Sequence, residues 1–478
     1  MPSAPEDPSL LAHQLIVRFL RSHNYSDALA AFSREAAADN PRLAGLEHIS
    51  AADGGHDLGD VVEDWVAARL ARMKVDDPVA DLAEQIRRLE LSAKLPDRVK
   101  TAVKEASNVL TVQGGVLPRR SWDSSQDRFK SEEILCVFTS AVDRSLRVYS
   151  SDAFELLDFF SLPSPALAVA QHPLDAYKRF VVAATMEGSL SVFDLVSREV
   201  VARVKDHSKY IVRVCFSLDG RYLVTLGYDR LIHIYRFSFS TSSSDAPALL
   251  DDETPDPLAV TPTVSLDLAH TLTARTNPEA AVFLPDSKWL VWTAREDHLL
   301  HYLSVPDDGE QGGWGTEEYN LNENGDAFVS FSVLSIALHP TLPVLSLQTS
   351  TSNARLLLYP FHSAVRVLTL HTTASQSEYF APRQSWLPSG AGVVVNSEDG
   401  LVRLVDLSGR VRVAKGAHGP AAPDEDVHEG ESEELKSERA RARREKDRGS
   451  SVIRDVEVLV DGRVLSCGFD KTVKVMEA

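Results

Sequence analysis

The amino-acid sequence predicts a mainly β fold, a seven-bladed β-propeller, preceded by a small helical region. Seven short segments repeat one template, turn chemistry recurs in phase with them, and the stretch ahead of the first repeat copies a junction found between later ones. The template is an acidic or amide residue, two or three turn positions, then an alternating apolar run reaching an aromatic or aliphatic residue six positions on. Its copies are 143–149, 187–193, 229–235, 296–302, 353–359, 399–405 and 470–476. Successive end positions lie 44, 42, 67, 57, 46 and 71 residues apart, so three spacings sit near the mid-forties and three carry insertions. A strand-rich period in the low forties suits four-stranded blades arranged around an axis.

The second repeat offers four alternating runs, 166–171, 179–184, 190–195 and 200–204; the third offers 211–216, 222–226 and 231–237. Between the first two runs of the third repeat, Asp219-Gly220 supplies the positive φ of a tight hairpin. The same slot holds Pro285-Asp286-Ser287, Pro388-Ser389-Gly390 and Asp461-Gly462 in repeats four, six and seven. His172-Pro173 and His339-Pro340 fill it in repeats two and five.

The seventh repeat runs 452–458, 463–468 and 472–476, which leaves its outermost strand to come from elsewhere or its edge open. Residues 99–112 parallel 201–214, where a fourth strand, a loop and the next first strand follow one another. By that parallel, 98–104 is the outer strand of blade seven and 108–113 the first strand of blade one. A linker helix over 97–107 is the alternative.

Ahead of these repeats, Leu15, Ile16, Phe19 and Leu20 fall at helical spacing, His23-Asn24 makes a break, and Ala28, Leu29 and Phe32 mark a second helix. This stretch resembles the LisH motif, with aromatic residues at Phe19 and Tyr25, a small residue at Ala28, then Phe32 and Glu35. Where that family has glycine before the second aromatic, this chain has Asn24, which tolerates left-handed backbone best among the other residues. The resemblance implies homodimerisation through Leu15, Ile16, Phe19, Leu20, Tyr25, Ala28 and Phe32. Physics points the same way, since two helices this short bury little apolar surface alone. A hairpin packed on the propeller of its own chain is the alternative.

The expected organisation is therefore a LisH motif at 1–36, a helical linker with a short coiled coil at 37–96, and the propeller at 97–478. In the linker, 58–73 reads as an amphipathic helix around Leu58, Val62, Trp65 and Leu70. After Pro78, Val79, Leu82, Ile86 and Leu89 follow at a/d spacing, able either to extend a dimer or to lie on the propeller's flank. Loop insertions are expected at 238–262, 304–325 and 415–450. The last holds an acidic run and then a basic one, read as a self-neutralising solvated loop rather than a docking or nuclear-import segment.

Phe193-Asp194 and Val405-Asp406 read as degenerate WD dipeptides, and Asp206-His207 stands where a Gly-His pair is common. On these residues and the repeat, 97–478 resembles the WD-repeat family. The resemblance implies that His207 hydrogen-bonds the turn residue Asp229 and that Asp143, Asp399 and Asp470 cap their own turns, all structural roles. It also implies partner contacts just before the turn acids, at Val142, Met186, Tyr228, Arg295, Ser352, Glu398 and Phe469. Among these, Tyr228, Arg295, Met186 and Phe469 are side chains of the kinds enriched at interfaces, although Met186 and Phe469 equally suit packing within their blades.

A formal net charge of −19, spread along the chain, argues against nucleic acid or anionic lipid as the main ligand. Three cysteines, Cys136, Cys215 and Cys467, with no Cys-x-x-Cys pair, suit a reducing compartment and no structural zinc. There is no apolar signal core, no membrane-length apolar run, no phosphate loop, no His-Glu-x-x-His and no Gly-x-Ser-x-Gly. The sequence thus reads as a non-catalytic scaffold of the cytoplasm or nucleus without cofactor or metal, homodimeric and holding other proteins. A substrate-recognition subunit of a ubiquitin ligase or a corepressor complex is one alternative. A propeller enzyme with convergent polar residues in its channel is another.

Overall fold

The structure is a computed structural model and describes residues 13, 16–17, 19–21, 23–39, 78–89, 98–125, 128–240, 258, 262–306, 313–322, 325–351, 354–414, 417–418 and 451–477. Two compact units divide the chain, 1–81 and 82–478.

In the first unit, helical residues through Arg21 are followed by a break and by α1 (Ser26–Asp39). Asn24 sits at φ 58°, the left-handed backbone for which it substitutes glycine. Val17 and Ala36 are buried together, with Leu29 and Phe32 packed beside them, and the His13 and Phe32 rings stack 5.6 Å apart. Of the expected dimerisation residues, Ile16, Phe19, Leu20 and Phe32 are partly buried, whereas Tyr25 and Ala28 are exposed. Leu15 and the expected helix at 58–73 lie outside the described residues.

The second unit is a seven-bladed propeller of seven four-stranded antiparallel sheets. The outer strand of blade seven is Arg98–Lys104, paired antiparallel with Thr472–Glu477. The ring is therefore closed by the strand that the sequence parallel assigns, and the linker-helix alternative falls. Lys100 Nζ meets Glu477 Oε2 at 2.6 Å across this junction.

Apolar alternation on both faces of each blade builds the core as a ring of seams, one between each pair of neighbouring blades. The residue that ends each template copy is buried in every blade: Tyr149, Phe193, Tyr235, Tyr302, Tyr359, Val405 and Met476. Tyrosine fits this place because its ring fills the seam while its hydroxyl finds a polar group. Tyr149 donates to Glu105 Oε1 at 2.5 Å, Tyr235 to Asp206 Oδ2 at 3.1 Å and Tyr359 to the Leu321 carbonyl at 3.3 Å.

α2 (Pro78–Arg88) places Leu82 and Ile86 in the seam between blades five and six, with Leu89 packed beside them. This is the flank arrangement for Leu82, Ile86 and Leu89, three of the four residues of the expected a/d row.

Several strands differ from expectation. The first strand of blade one runs Val109–Asp123, far beyond 113, and forms a long hairpin with Arg128–Ala141. Gly115 permits it: a Cβ there would collide with the Phe138 ring. The insertion expected at 238–262 is shorter, since Leu231–Ser240 continues through its start and Thr263–Thr273 follows as the outer strand of blade three. Likewise Thr316–Asn320 is the outer strand of blade four rather than loop. Residues 419–450, with the charged insertion, lie outside the described residues.

Candidate functional site

Six of the seven template copies place an acid at the turn between the last two inner strands, and its charge has to be neutralised. Blades three and seven do so with a histidine from the preceding loop. His207 Nδ1 donates to Asp229 Oδ1 at 3.0 Å while its Nε2 accepts from Thr225 Oγ1 at 2.8 Å. His418 Nδ1 donates to Asp470 Oδ1 at 2.9 Å while its Nε2 accepts from Ser466 Oγ at 2.9 Å. Burial opposes ionisation of both acids, but these hydrogen bonds hold Asp229 and Asp470 below the usual carboxylate range. His418 falls in a stretch expected to be loop; its signal was a histidine preceded by Gly-Ala, obscured by the insertion behind it.

Blades one and six use an arginine four residues on. Arg147 Nη2 donates to Asp143 Oδ2 at 2.6 Å, and Arg403 Nη2 to Asp399 Oδ2 at 2.6 Å. In blade four the acid in this register is Asp297, not Glu296. Asp297 accepts from Leu299 N–H at 3.1 Å and pairs with His301 Nε2 at 2.8 Å, while Glu296 occupies φ 54°. The dipeptide acid Asp194 receives a bidentate pair from Arg179, at 2.8 and 2.7 Å, with both side chains almost wholly buried.

Directly before these turns, seven backbone N–H groups donate to the carbonyls that open the blades. They are Val142, Met186, Tyr228, Arg295, Ser350, Glu398 and Phe469, at 2.8 to 3.1 Å. In blade five the equivalent residue is Ser350, two positions before the expected Ser352, which lies outside the described residues. The other six line one cavity of about 600 Å³ at the mouth of the central channel. All four expected partner-binding residues, Met186, Tyr228, Arg295 and Phe469, are among them. Met186 is 48% exposed, so it does not fold into its blade.

A second ring lines the same mouth and was missed in the sequence. In blades one, two, three, four, five and seven the first strand carries a bulge at its second residue, as at Ile211/Arg213 and Ile453/Asp455. A bulge re-aims a side chain. The second residues Leu110, Leu167, Val212, Glu279 and Arg454 accordingly face the cavity. Residues 375–383 add Phe380 and Arg383 from blade six. The signal was an interruption of alternation at one fixed place in successive first strands.

The polar groups converge on Glu279. Tyr228 Oη donates to Glu279 Oε1 at 2.6 Å, Arg295 Nε donates to the same oxygen at 2.6 Å, and Arg295 Nη1 donates to the Glu378 carbonyl at 3.1 Å. The Tyr210 and Tyr228 rings lie 4.5 Å apart. Burial and then Glu279 push the Tyr228 phenol well above its usual range, so it stays a neutral donor. Tyr228 and Arg295 thus form a braced platform whose faces, rather than its buried tips, meet the cavity. Among the described residues, no group of three or more His, Cys, Asp or Glu side chains is placed to hold a metal ion, and no helix is long and apolar enough to cross a membrane.

Residues 198–236, which take in the outer strand of blade two and the first three strands of blade three as far as Arg236, match the family model described as WD domain, G-beta repeat. The chain is 28% identical over 101 residues to nuclear distribution protein PAC1-2 of Uncinocarpus reesii (strain UAMH 1704). That similarity covers 21% of this chain and 22% of the relative, so it spans about a fifth of each. With the seven blades, these matches support a WD-repeat propeller.

Proposed function

We propose that this chain is a non-catalytic scaffold that pairs through its N-terminal helices and holds protein partners at the mouth of the propeller channel. The observation that carries the docking face is the convergence of Met186, Tyr228, Arg295 and Phe469 on one cavity. Large aromatic side chains and arginine dominate interface energies where they are preorganised, and the shared bond to Glu279 fixes two of the four. The match to a WD-repeat model favours protein partners over small substrates. Pairing is favoured by the LisH-like pattern and by a hairpin whose described core is little more than Val17, Ala36, Leu29 and Phe32.

One preparation tests both parts. Full-length chain carrying Tyr228→Ala with Arg295→Ala is expected to lose capture of its main partner from native lysate, and to lose it also when Glu279→Gln relieves the buried carboxylate that the two changes leave without donors. Light scattering is expected to give twice the monomer mass, reduced to the monomer by Phe19→Asp. Undiminished capture by the double variant places docking elsewhere, and a monomeric wild type at micromolar concentration removes the pairing.

A further inference from the structure

Resting on the reading that the channel mouth holds partners, we propose that its ligand is an acidic peptide segment, whose carboxylate is taken up by Arg383 and Arg454. The argument is a mismatch of donors and acceptors. The two carboxylates that line the cavity, Glu279 and Glu398, and Asp455 beside Arg454 in the chain are already engaged by the protein. Glu279 receives Tyr228 and Arg295, and Glu398 receives Ser377 Oγ at 2.5 Å. Asp455 receives Thr111 Oγ1 at 2.6 Å and the N–H groups of Val112 and Val456 at 3.2 and 3.1 Å.

The arginines are not so matched. Arg454 lines the cavity and has no side-chain hydrogen bond or ion pair among the described residues; Arg213, close by, has none either. Arg383 is 8% exposed, approaches Asp455 only at 3.8 Å, and donates to the adjacent Pro382 carbonyl at 3.1 Å. A guanidinium carries five donors in a planar fork suited to a carboxylate. Burial, then the charges of Arg213 and Arg454, depress the proton affinity of Arg383, as expected of like charges crowded away from water. An anion between Arg383 and Arg454 relieves both the crowding and the unmatched donors.

The cavity also fixes the kind of anion. Leu110, Leu167, Val212 and Phe380 share its walls, which suits apolar side chains flanking the acid. At about 600 Å³ it admits a few side chains of an extended segment rather than a helix. A nucleic-acid backbone needs a continuous basic track, and the net charge of −19 opposes one. Recognition is therefore short-range and local.

The test uses the full-length chain, immobilised, and a pooled library of blocked heptapeptides with Glu, Gln or Lys fixed at the centre and randomised apolar flanks. Retained peptides are read by mass spectrometry. Glu-centred peptides are expected to be enriched at least tenfold over Gln-centred ones. Arg454→Gln is expected to remove that enrichment and Arg454→Lys to keep part of it, both with unchanged melting temperature. Equal retention of Glu and Gln peptides, preference for Lys peptides, or binding of inositol hexakisphosphate with no peptide enriched overturns the proposal. If Arg454→Gln spares capture of the native partner while Tyr228→Ala with Arg295→Ala abolishes it, acid recognition fails and the docking face stands. If both variants spare capture, the docking face itself fails.

Discussion

Blades three and seven solve the same problem with the same atoms, yet one is assembled from contiguous chain and the other is not. In blade three, His207 and Asp229 stand 22 residues apart and all four strands follow in order. In blade seven, His418 and Asp470 stand 52 residues apart, across a charged insertion, and the outer strand comes from Arg98–Lys104. The two networks still agree to within 0.1 Å, at 3.0 and 2.8 Å against 2.9 and 2.9 Å. Sequence separation governs how readily such a network is recognised, and not how well it is formed. What separation does change is dependence: blade three needs only its own segment, whereas blade seven needs the rest of the ring.

The largest expected effect breaks that dependence. Removing residues 1–107 strips the outer strand from blade seven and exposes the Thr472–Glu477 edge, so the chain is expected to aggregate rather than unfold cooperatively. Removing 1–77 keeps both that strand and α2, whose Leu82 and Ile86 cover the seam between blades five and six, and is expected to leave a soluble propeller. Sedimentation and thermal unfolding of the two truncations decide it; equal behaviour means that closure does not depend on the borrowed strand.

The next effect compares the two histidines directly. His207→Ala leaves Asp229 with the N–H groups of Ser208 and Leu231 and takes from the buried Thr225 hydroxyl its bond to the imidazole. His418→Ala leaves Asp470 with Thr472 and strands the Ser466 hydroxyl. Each loss is expected to cost about 2–3 kcal/mol by urea denaturation, the two agreeing to about 0.5 kcal/mol. A much smaller cost at His418 refutes the equivalence of the networks.

The same contrast explains what the sequence made legible. Repeat number, the closing strand and the His207–Asp229 pair all rest on patterns with fixed spacing. So do the face positions at Tyr228, Arg295, Met186 and Phe469, since each is one step from a turn residue. Where insertions reset the spacing, reading failed: His418 lay in an expected loop, Ser350 was displaced to Ser352, and Asp297 was shifted to Glu296. The inner ring of Glu279 and Arg454 was missed for another reason. A bulge turns these residues into the channel, and a bulge is invisible to a strict period of two. The apolar row of α2 was legible as a row, but its partner was not, because a/d spacing suits a helix partner and a propeller seam alike.

The smallest expected effect concerns two further histidines, which join blades by a means both His-capped turns lack. His172 Nε2 donates to the Gly220 carbonyl at 3.2 Å and His339 Nε2 to the Gly390 carbonyl at 3.0 Å, each histidine reaching the hairpin of the next blade. Both glycines have φ 71°, and a Cβ on either would strike the imidazole. In each ring Nδ1 accepts backbone N–H groups, so the neutral form is the one that fits. Burial lowers both pKa values, that of His172 to about 4, against about 6.5 for an unfolded chain. The unfolded state therefore binds protons that the folded state refuses, and stability falls as pH drops below about 6.5 and levels off near the folded value. For His172 the slope approaches about 1.4 kcal/mol per pH unit, and His339 adds in the same direction. Loss of the depressed carboxylates Asp229 and Asp470 starts only near pH 4. Between about 6.5 and 4.5, however, Glu457, which burial pushes up to about 8, contributes the opposite slope, and burial lowers His233 and His270 as well. The difference between wild type and a His172 variant, and not the wild-type slope, therefore isolates His172. His172→Gln, which keeps a donor toward Gly220 without titrating, is expected to lower the slope of the stability profile in that interval by about 1 kcal/mol per pH unit. An unchanged slope in urea titrations across it means that His172 does not carry the acid sensitivity.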